Sequence, residues 1–306
     1  MIHNFSELLA AAVAGSGSVA RVAVVGADSA TGLAAVLQAA REGFAQPVLI
    51  GDERLIREVA AARGLDVSGA SWAPADAPDA AAACAAALAG AGEVDVLLKG
   101  SLRTDQLLRA VLDRRHGLRT DGLLSDVLLY EDTLAGDVRL VAVTDGGINP
   151  APDAAALGRI VANAVKVMRA LGFERPRVAL LSATEAVTES VASTVVARQI
   201  QEEAAGGAFG ECEVQGPLAL DNALLASAAE AKGIAGPVAG RADILVLPNI
   251  EAGNVLGKAV KYFGGSITAH VVVGARVPVL IPSRVESEAD KLHSIALGVL
   301  LGREAE

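Results

Sequence analysis

Residues 243–262 read DILVLPNIEAGNVLGKAVKY, and residues 270–290 read HVVVGARVPVLIPSRVESEAD. Each stretch starts with a short apolar run rich in β-branched residues, passes through a polar loop and continues into a helical pattern. This alternation is typical of an α/β sheet. Ligands of such sheets gather at the carboxyl ends of the strands. Because the two loops hold the densest concentration of reactive side chains in the chain, we expect the functional site there.

The same pattern opens the chain. A strand is predicted over Arg21–Val25, a loop over Gly26–Gly32, a helix over Leu33–Arg41 and a second strand over Pro47–Ile50. Such a βαβ unit favours a parallel sheet with right-handed crossovers. Asp28 occupies the loop position where a dinucleotide-binding motif needs glycine, and its charge would repel a phosphate. Nicotinamide binding at this loop is therefore disfavoured.

Composition limits the class of protein. The 306 residues are 52% hydrophobic and suffice for two domains, and 36 acidic against 26 basic residues give a net charge of −10. This charge argues against nucleic acid as a partner. The two cysteines, Cys84 and Cys212, lack metal-site spacing and predict incidental thiols in a reducing compartment. Without a signal-peptide pattern in Met1–Leu9 or an apolar run of about 20 residues, we expect a soluble, cytoplasmic protein that binds neither metal nor membrane.

Basic residues follow another predicted strand. Val94–Leu98 leads directly into Lys99, and Arg119 lies in the later loop Gly117–Thr120. Cations where a strand gives way to a helix can neutralise a bound phosphate, helped by the helix N-terminus. The alternative is that these side chains are ordinary solvated surface charges, and their spacing alone leaves both interpretations open.

Ser283, Arg284 and Asp290 each have a simple structural interpretation. The serine can cap a turn, the arginine can pair with a nearby glutamate, and Asp290 completes a capping box with Ser287. Together, however, a hydroxyl, a fixed cation and a carboxylate at one strand-to-helix junction can handle an anion and a proton. A Ser-His-Asp hydrolase that uses His293 is disfavoured because no G-x-S-x-G motif surrounds the serine.

Linked motifs over nearly the whole chain from about Gly92 resemble the phosphate acetyl/butyryltransferase family, and its butyryl branch most closely. The motifs are Leu98–Gly100, Gly117–Thr120, Thr144–Asp145 with Asn149, Leu180–Ser182, Gly216–Asn222, Asn249–Asn254 with Lys258 and Tyr262–Phe263, Val273–Ala275, Ser283–Arg284 and Ser294–Leu297.

The resemblance implies two three-layer α/β/α domains of the isocitrate/isopropylmalate-dehydrogenase type. The first domain would comprise residues 1–130 and 272–306, and the second residues 131–271, with the active site in the cleft between them. The resemblance also implies a homo-oligomer, either a dimer or a multiple of one.

The implied reaction is reversible transfer of a short acyl group, butyryl or acetyl, between coenzyme A and inorganic phosphate. The thiolate of coenzyme A would attack an acyl phosphate directly, so coenzyme A is a substrate and no cofactor is bound permanently. By motif position Asp290 would take the thiol proton, Arg284 would hold the phosphate and Ser283 would orient the acyl phosphate. Weaker candidates for contacts to substrate or phosphate are Lys99, Arg119, Asn254 and Lys258.

Two other functions stay open on the sequence alone. An NAD(P)-dependent dehydrogenase of related fold would share the architecture, because a fold does not determine a reaction. A non-catalytic homologue that binds coenzyme A would keep the motifs without turnover.

Overall fold

The computed structural model describes residues 1–15, 19–134 and 136–303, in which strands and helices alternate. The helices are α1 (Phe5–Ala14), α2 (Ala30–Arg41), α3 (Glu53–Ala62), α4 (Pro78–Gly90), α5 (Thr104–Leu112), α6 (Ala154–Ala170), α7 (Ala192–Ala205), α8 (Leu220–Leu224), α9 (Ala226–Ala231), α10 (Ile250–Tyr262) and α11 (Glu288–Arg303). The strands are β1 (Ala20–Val25), β2 (Ala45–Gly51), β3 (Ser71–Pro74), β4 (Val96–Lys99), β5 (Ser125–Asp132), β6 (Arg139–Thr144), β7 (Arg177–Leu181), β8 (Glu213–Leu218), β9 (Ile244–Val246), β10 (Thr268–Val273) and β11 (Val279–Leu280).

The chain forms two compact units, each made of two pieces of sequence. The terminal unit comprises Ser6–Gly122 and Ala269–Glu306, and the central unit comprises Met1–Phe5 and Leu123–Thr268. The predicted domain bounds, at residues 130/131 and 271/272, stay a prediction.

The sheet of the terminal unit has the strand order β3-β2-β1-β4-β11-β10. Neighbouring strands from β3 to β11 are parallel, and β10 runs antiparallel to β11. Every residue of β4 is buried, as expected for a parallel strand covered on both faces of its sheet. The covering helices pack in pairs, α2 with α11 and α4 with α5.

The strand order of this sheet reverses direction at β1, because β2 lies on one side of it and β4 on the other. Val25 at the end of β1 is paired with Lys99, and Leu280 at the end of β11 is paired with Leu98. The loops that follow β1, β4 and β11 therefore leave the same edge of the sheet. Such a switch point at the carboxyl ends of parallel strands is where ligands of α/β sheets bind.

The sheet of the central unit has the order β5-β6-β9-β7-β8, with β5 antiparallel to β6 and the remaining neighbours parallel. Its core contains buried aliphatic side chains from the strands, among them Val141, Val143, Leu218 and Leu245. The predicted α/β class, with a parallel-rich sheet and packed helices, is confirmed in both units. Helix α2 begins at Ala30, three residues before the predicted start, and β5 was not predicted.

Candidate active site

The loop between β11 and α11, residues 281–287, carries Ser283 and Arg284. A buried lysine holds this loop from inside: the ammonium of Lys291 donates to the carbonyl of Glu286 at 2.7 Å and to that of Ser283 at 3.3 Å. Lys291 is only 2% exposed. Long side chains on a helix lean towards its N-terminus, so a residue in the first turn of α11 can reach the preceding loop.

Lys99 ends β4 beside this loop and is 5% exposed. Burial lowers the pKa of its ammonium, and the nearby charges of Arg284 and Lys291 lower it further, while Glu286 opposes the shift. No hydrogen bond or ion pair to another described residue holds the ammonium. Lys99 therefore provides a buried cation that can bind an anion without first breaking a protein contact.

Glu286 places a carboxylate beside these cations and is 6% exposed. Its Oε1 lies 3.7 Å from Nε2 of His270. Its Oε2 is buried and has no hydrogen-bond partner in the described part of the chain. Burying an unpaired polar oxygen costs free energy, so such an oxygen calls for an explanation.

Arg284 is exposed and lies next to the loop that follows β4. Its Nη2 makes a long hydrogen bond of 3.4 Å to the carbonyl of Ser101. The Ser101 hydroxyl in turn donates to Oδ1 of Asp28 at 2.6 Å, which links the loops after β4 and β1 across the switch point. Asp28 thus stabilises the loop after β4 through this hydrogen bond and is not placed as a phosphate ligand.

Asp290 is buried at the third position of α11 and forms the predicted capping box. Its Oδ2 accepts from the backbone N–H of Ser287 at 2.8 Å and from the Ser287 hydroxyl at 2.5 Å. The backbone N–H of Asp290 donates to the same hydroxyl at 3.2 Å. The carboxylate therefore has a structural role, and its role as a base stays a prediction.

The three weaker candidates are Arg119 in the terminal unit and Asn254 and Lys258 in the central unit. Arg119 is exposed in the loop before β5, where its backbone forms an isolated bridge with Ala275. Asn254 and Lys258 are exposed on α10 of the central unit. The Asn254 side chain donates to the carbonyl of Gly146 at 3.1 Å. The structure thus brings together Lys99, Ser283 and Arg284, and the roles of the other three remain predictions.

The central unit has its own buried carboxylate at the carboxyl end of β6. Asp145 accepts from the backbone N–H groups of Gly147, Ile148 and Asn149 and from the Asn149 side chain, at 2.6–3.2 Å. Burial raises the pKa of Asp145, the nearby Asp126 raises it further, and these hydrogen bonds oppose the shift. The motif Thr144–Asn149 therefore fixes the loop after β6.

Two residues of the cluster, Glu286 and Lys291, were not among the predicted site residues. Both lie in the run Arg284–Lys291, where almost every second residue is charged. The capping box could have indicated the position of Lys291, because it marks where α11 begins. The lysine then falls in the first turn of that helix. No comparable pattern in the sequence indicates that Glu286 is buried.

Within residues 1–15, 19–134 and 136–303, no helix has the length and apolar character needed to cross a bilayer. In the same residues no three His, Cys, Asp or Glu side chains are grouped to hold a metal ion. Cys84 and Cys212 are half-buried free thiols, and burial raises the pKa of both. Neither is thereby activated as a nucleophile.

A family model described as phosphate acetyl/butaryl transferase matches residues 76–299, which include the whole cluster. The chain belongs to the phosphate acetyl/butyryl transferase family. The match covers well over half of the 306 residues. The resemblance expected from the linked motifs is confirmed.

Named relatives include both branches of this family. The chain is 38% identical to a phosphate butyryltransferase of Clostridium beijerinckii over 98% of both chains. It is 40% identical to a phosphate acetyltransferase of Rhizobium meliloti, over 88% of this chain and 85% of that one. A solved branched-chain phosphotransacylase from Enterococcus faecalis is 31% identical, with a TM-score of 0.81 over 92% of this chain and 99% of its own. The fold of this family member is therefore that of the phosphotransacylases.

Proposed function

We propose that the protein is a phosphate acyltransferase that moves a butyryl or acetyl group reversibly between coenzyme A and inorganic phosphate. The observation that carries the proposal is the convergence of Lys99, Arg284 and Lys291 on one fixed loop in a chain of this family. Cations at the carboxyl edge of a parallel sheet suit a phosphate or an acyl phosphate.

In the direction of acyl-CoA synthesis, the thiol of coenzyme A attacks the carbonyl carbon of the acyl phosphate. A C–S bond forms, the C–O bond to phosphate breaks, and the thiol proton ends on the departing phosphate. A thiol with a pKa of about 8.5 is mostly protonated at neutral pH, so a base accelerates the attack. Asp290 is that base in the proposal.

The cations stabilise the negative charge that develops on the substrate during the reaction. Arg284 contacts the phosphate and offsets the negative charge on the carbonyl oxygen as the carbon becomes tetrahedral. Lys99 binds the phosphate from the end of β4, and the Ser283 hydroxyl orients the acyl phosphate. Arg119, Asn254 and Lys258 contribute further contacts to the phosphates or the substrate.

The remaining parts of the proposal concern the setting of the enzyme. Coenzyme A enters as a substrate and no cofactor is permanently bound. The protein acts in the cytoplasm as a homo-oligomer.

The test is an assay of acyl-CoA with and without inorganic phosphate, followed by release of free thiol. The proposal expects thiol release that depends on phosphate, with either butyryl-CoA or acetyl-CoA. Reduction of a nicotinamide by a hydroxy acid, without phosphate-dependent thiol release, would support a dehydrogenase instead. Coenzyme A binding without turnover of either acyl-CoA would identify a non-catalytic homologue.

A further inference from the structure

The amine of Lys99 is buried, unpartnered and still open to solvent. The residue is 5% exposed, and its ammonium has no hydrogen bond or ion pair with another described residue. The described polar atoms that are both enclosed and unpartnered do not include Lys99 Nζ, so this atom keeps some contact with solvent. Lysines are almost never buried without a partner, because an uncompensated buried charge costs free energy. Lys99 therefore offers a small ligand an amine that no described residue binds.

Three other lysines show how differently an ammonium can be held. Lys291 is also buried, but it donates to two backbone carbonyls of the loop 281–287, at 2.7 and 3.3 Å. These acceptors bind the ammonium form, which has no lone pair. Lys232 forms ion pairs with two carboxylates, and they raise the pKa of its ammonium. Lys166 is exposed on α6.

The surroundings of Lys99 favour the neutral amine, which is the form that reacts as a nucleophile. A lysine is activated in this way by removal from water or by another cation nearby. Both conditions hold here, because burial lowers the pKa of the ammonium, and Arg284 and Lys291 lower it further against the opposing charge of Glu286. Each unit by which a pKa falls raises the neutral fraction about tenfold at neutral pH.

The proposed function brings an electrophile to this amine. In an acyl phosphate the carbonyl carbon is joined to phosphorus through a single bridging oxygen, and phosphate is its leaving group. A phosphate group held between Lys99 and Arg284 therefore places the carbonyl carbon close to the Lys99 amine. Reactants held together in this way behave as if one were present at a very high concentration.

We propose that Lys99 is a modification site, at which bound acyl phosphate transfers its acyl group to Nζ when coenzyme A is absent. The neutral amine attacks the carbonyl carbon, a C–N bond forms, and the C–O bond to phosphate breaks. The amine proton ends on the departing phosphate. The product is an uncharged amide, which the thiol of coenzyme A does not cleave, so each modification inactivates one site. The inference rests on the proposed function, because it needs acyl phosphate bound beside Lys99.

Acylation of each lysine is measured on the full chain by peptide mass spectrometry after incubation with acetyl phosphate or butyryl phosphate at neutral pH. Lys99 should be acylated at least about 10-fold faster than Lys166, because binding holds the reactants together. Its rate should saturate with acyl phosphate, and inorganic phosphate should slow it by occupying the same site. Equal rates at the two lysines, or a rate at Lys99 that phosphate does not slow, would overturn the proposal.

The pH dependence separates an activated amine from one that is only close to the ligand. In a model peptide with a lysine pKa of about 10.4, the rate should rise about tenfold per pH unit up to that value. At Lys99 the rate should level off at a lower pH, because the pKa of its ammonium is lowered. The advantage of Lys99 over the peptide should therefore shrink as the pH approaches 10. A constant advantage would count against the proposal.

Two variants assign the fast reaction to one nitrogen. Lys99→Met should lose the acylation that phosphate slows, whereas the matched control Lys166→Met should keep it at the rate of the unaltered protein. In the unaltered protein, the loss of phosphate-dependent thiol release should match the fraction of Lys99 acylated. Unchanged thiol release from fully acylated Lys99, or a fast phosphate-sensitive acylation that survives in Lys99→Met, would refute the proposal.

The two assays separate this inference from the proposed function. Phosphate-dependent thiol release from a protein whose Lys99 reacts no faster than Lys166 would contradict only the modification. Phosphate-sensitive acylation of Lys99 in a protein that transfers no acyl group to coenzyme A would contradict only the transferase.

Discussion

At the scale of single residues, Lys99 carries a charge that its surroundings oppose. Burial and two neighbouring cations lower the pKa of its ammonium, and no ion pair with a described residue compensates. The folded state therefore releases this proton at a lower pH than the unfolded chain does. At neutral pH Lys99 therefore lowers the free energy of unfolding. This loss is relieved as the pH rises from the lowered pKa towards the unfolded value of about 10.4.

Lys99→Met should therefore be more stable than the unaltered protein in phosphate-free buffer, by about 1 kcal/mol or more, since it removes a buried unpaired donor. Calorimetry should show a Tm higher by about 2–4 °C at neutral pH, and the gain should shrink as the pH approaches 10. The same variant should bind phosphate more weakly. Lys166→Met, at an exposed position on α6, is the control and should change neither quantity.

Arg284 is exposed, and among the described residues its side chain makes one long hydrogen bond, to the Ser101 carbonyl in the loop after β4, so its removal should spare the fold. Arg284→Ala should lose on the order of 10²–10³ in turnover, the range for removing one preorganised charge stabiliser. Phosphate-dependent thiol release measures the loss. Val285→Ala, at the next and 72% exposed position of the same loop, should keep near-normal turnover. Normal turnover in a folded Arg284→Ala protein would remove the arginine from the mechanism.

Asp290 combines a visible cap with a proposed base, and the two roles respond differently to mutation. Asp290→Asn keeps an oxygen that can accept from Ser287, so Tm should change little. Turnover should fall by roughly 10²–10⁴ if the carboxylate takes the thiol proton. The deficit should shrink as the pH rises towards about 8.5, because more coenzyme A then arrives as thiolate.

Ser287→Ala provides the complementary variant. It removes the hydroxyl that bonds Asp290 but leaves the carboxylate, so it should cost about 1 kcal/mol of stability and keep most of the turnover. If Asp290→Asn instead lowers Tm by several degrees and turns over normally, the aspartate only caps its helix.

At the scale of elements, the site depends on how closely β4 approaches β1. The backbone N–H of Gly100 donates to the Val25 carbonyl at 2.8 Å, and a Cβ at Gly100 would overlap the carbonyl oxygen of Gly26. The nearest atoms belong to the backbone of Val25 and Gly26, which leaves little room for adjustment. This glycine therefore sets the position of Lys99 next to it.

Gly100→Ala should destabilise the protein by about 1–3 kcal/mol or more, the cost of forcing extra volume into a packed region. It should also weaken phosphate binding, because the loops after β1 and β4 must separate. Thermal unfolding and calorimetric titration with phosphate measure the two effects. Gly69→Ala, where an added Cβ meets nothing within 4 Å, is the control. Equal stability of the two variants would show that the close approach is not required.

Sequence patterns predicted the elements that alternate clearly and missed those without a distinguishing pattern. The runs that became β1, β2 and β4 are short, apolar and followed by polar loops, so their period and length identify them. The strand β5 reads SDVLLYED, a short apolar run that fits a helix turn or a strand equally well. Its antiparallel pairing with β6 makes it a strand, and the run alone does not indicate that pairing.

The site was predictable only in part, for a related reason. Ser283, Arg284 and Asp290 came from motif resemblance, and the capping box came from spacing alone. The burial of Glu286 and Lys291 depends on the loop turning back over the first turn of α11, which is a tertiary arrangement. Charged residues are almost never fully buried unless paired, so composition argues against the observed result.

At the scale of the whole molecule, a net charge of −10 coexists with a cluster in which positive side chains outnumber carboxylates. The overall charge makes copies of the chain repel one another, and it also repels anionic substrates at long range. In the proposed function, recognition of phosphate therefore arises from short-range contacts in the cluster. Screening by salt is weaker for buried charges than for exposed ones, which suits this arrangement.

The prediction of a homo-oligomer belongs to this scale. Light scattering coupled to size-exclusion chromatography should give a mass at least twice the 30.8 kDa of one chain. The mass should not depend on phosphate, because the proposed assembly does not require substrate. A mass equal to that of one chain across the concentrations used for activity assays would contradict the prediction.

The ammonium of Lys291 closes a short ring of chain by holding two carbonyls that precede it by five and eight residues. A loop of this length would otherwise sample many backbone conformations, and ordering each residue costs about 1–2 kcal/mol of conformational entropy. Here that entropy is lost once, when the chain folds, and not again in each encounter with a ligand. A loop preorganised in this way binds with less entropic opposition, so the clamp can raise affinity although Lys291 itself need not touch the ligand.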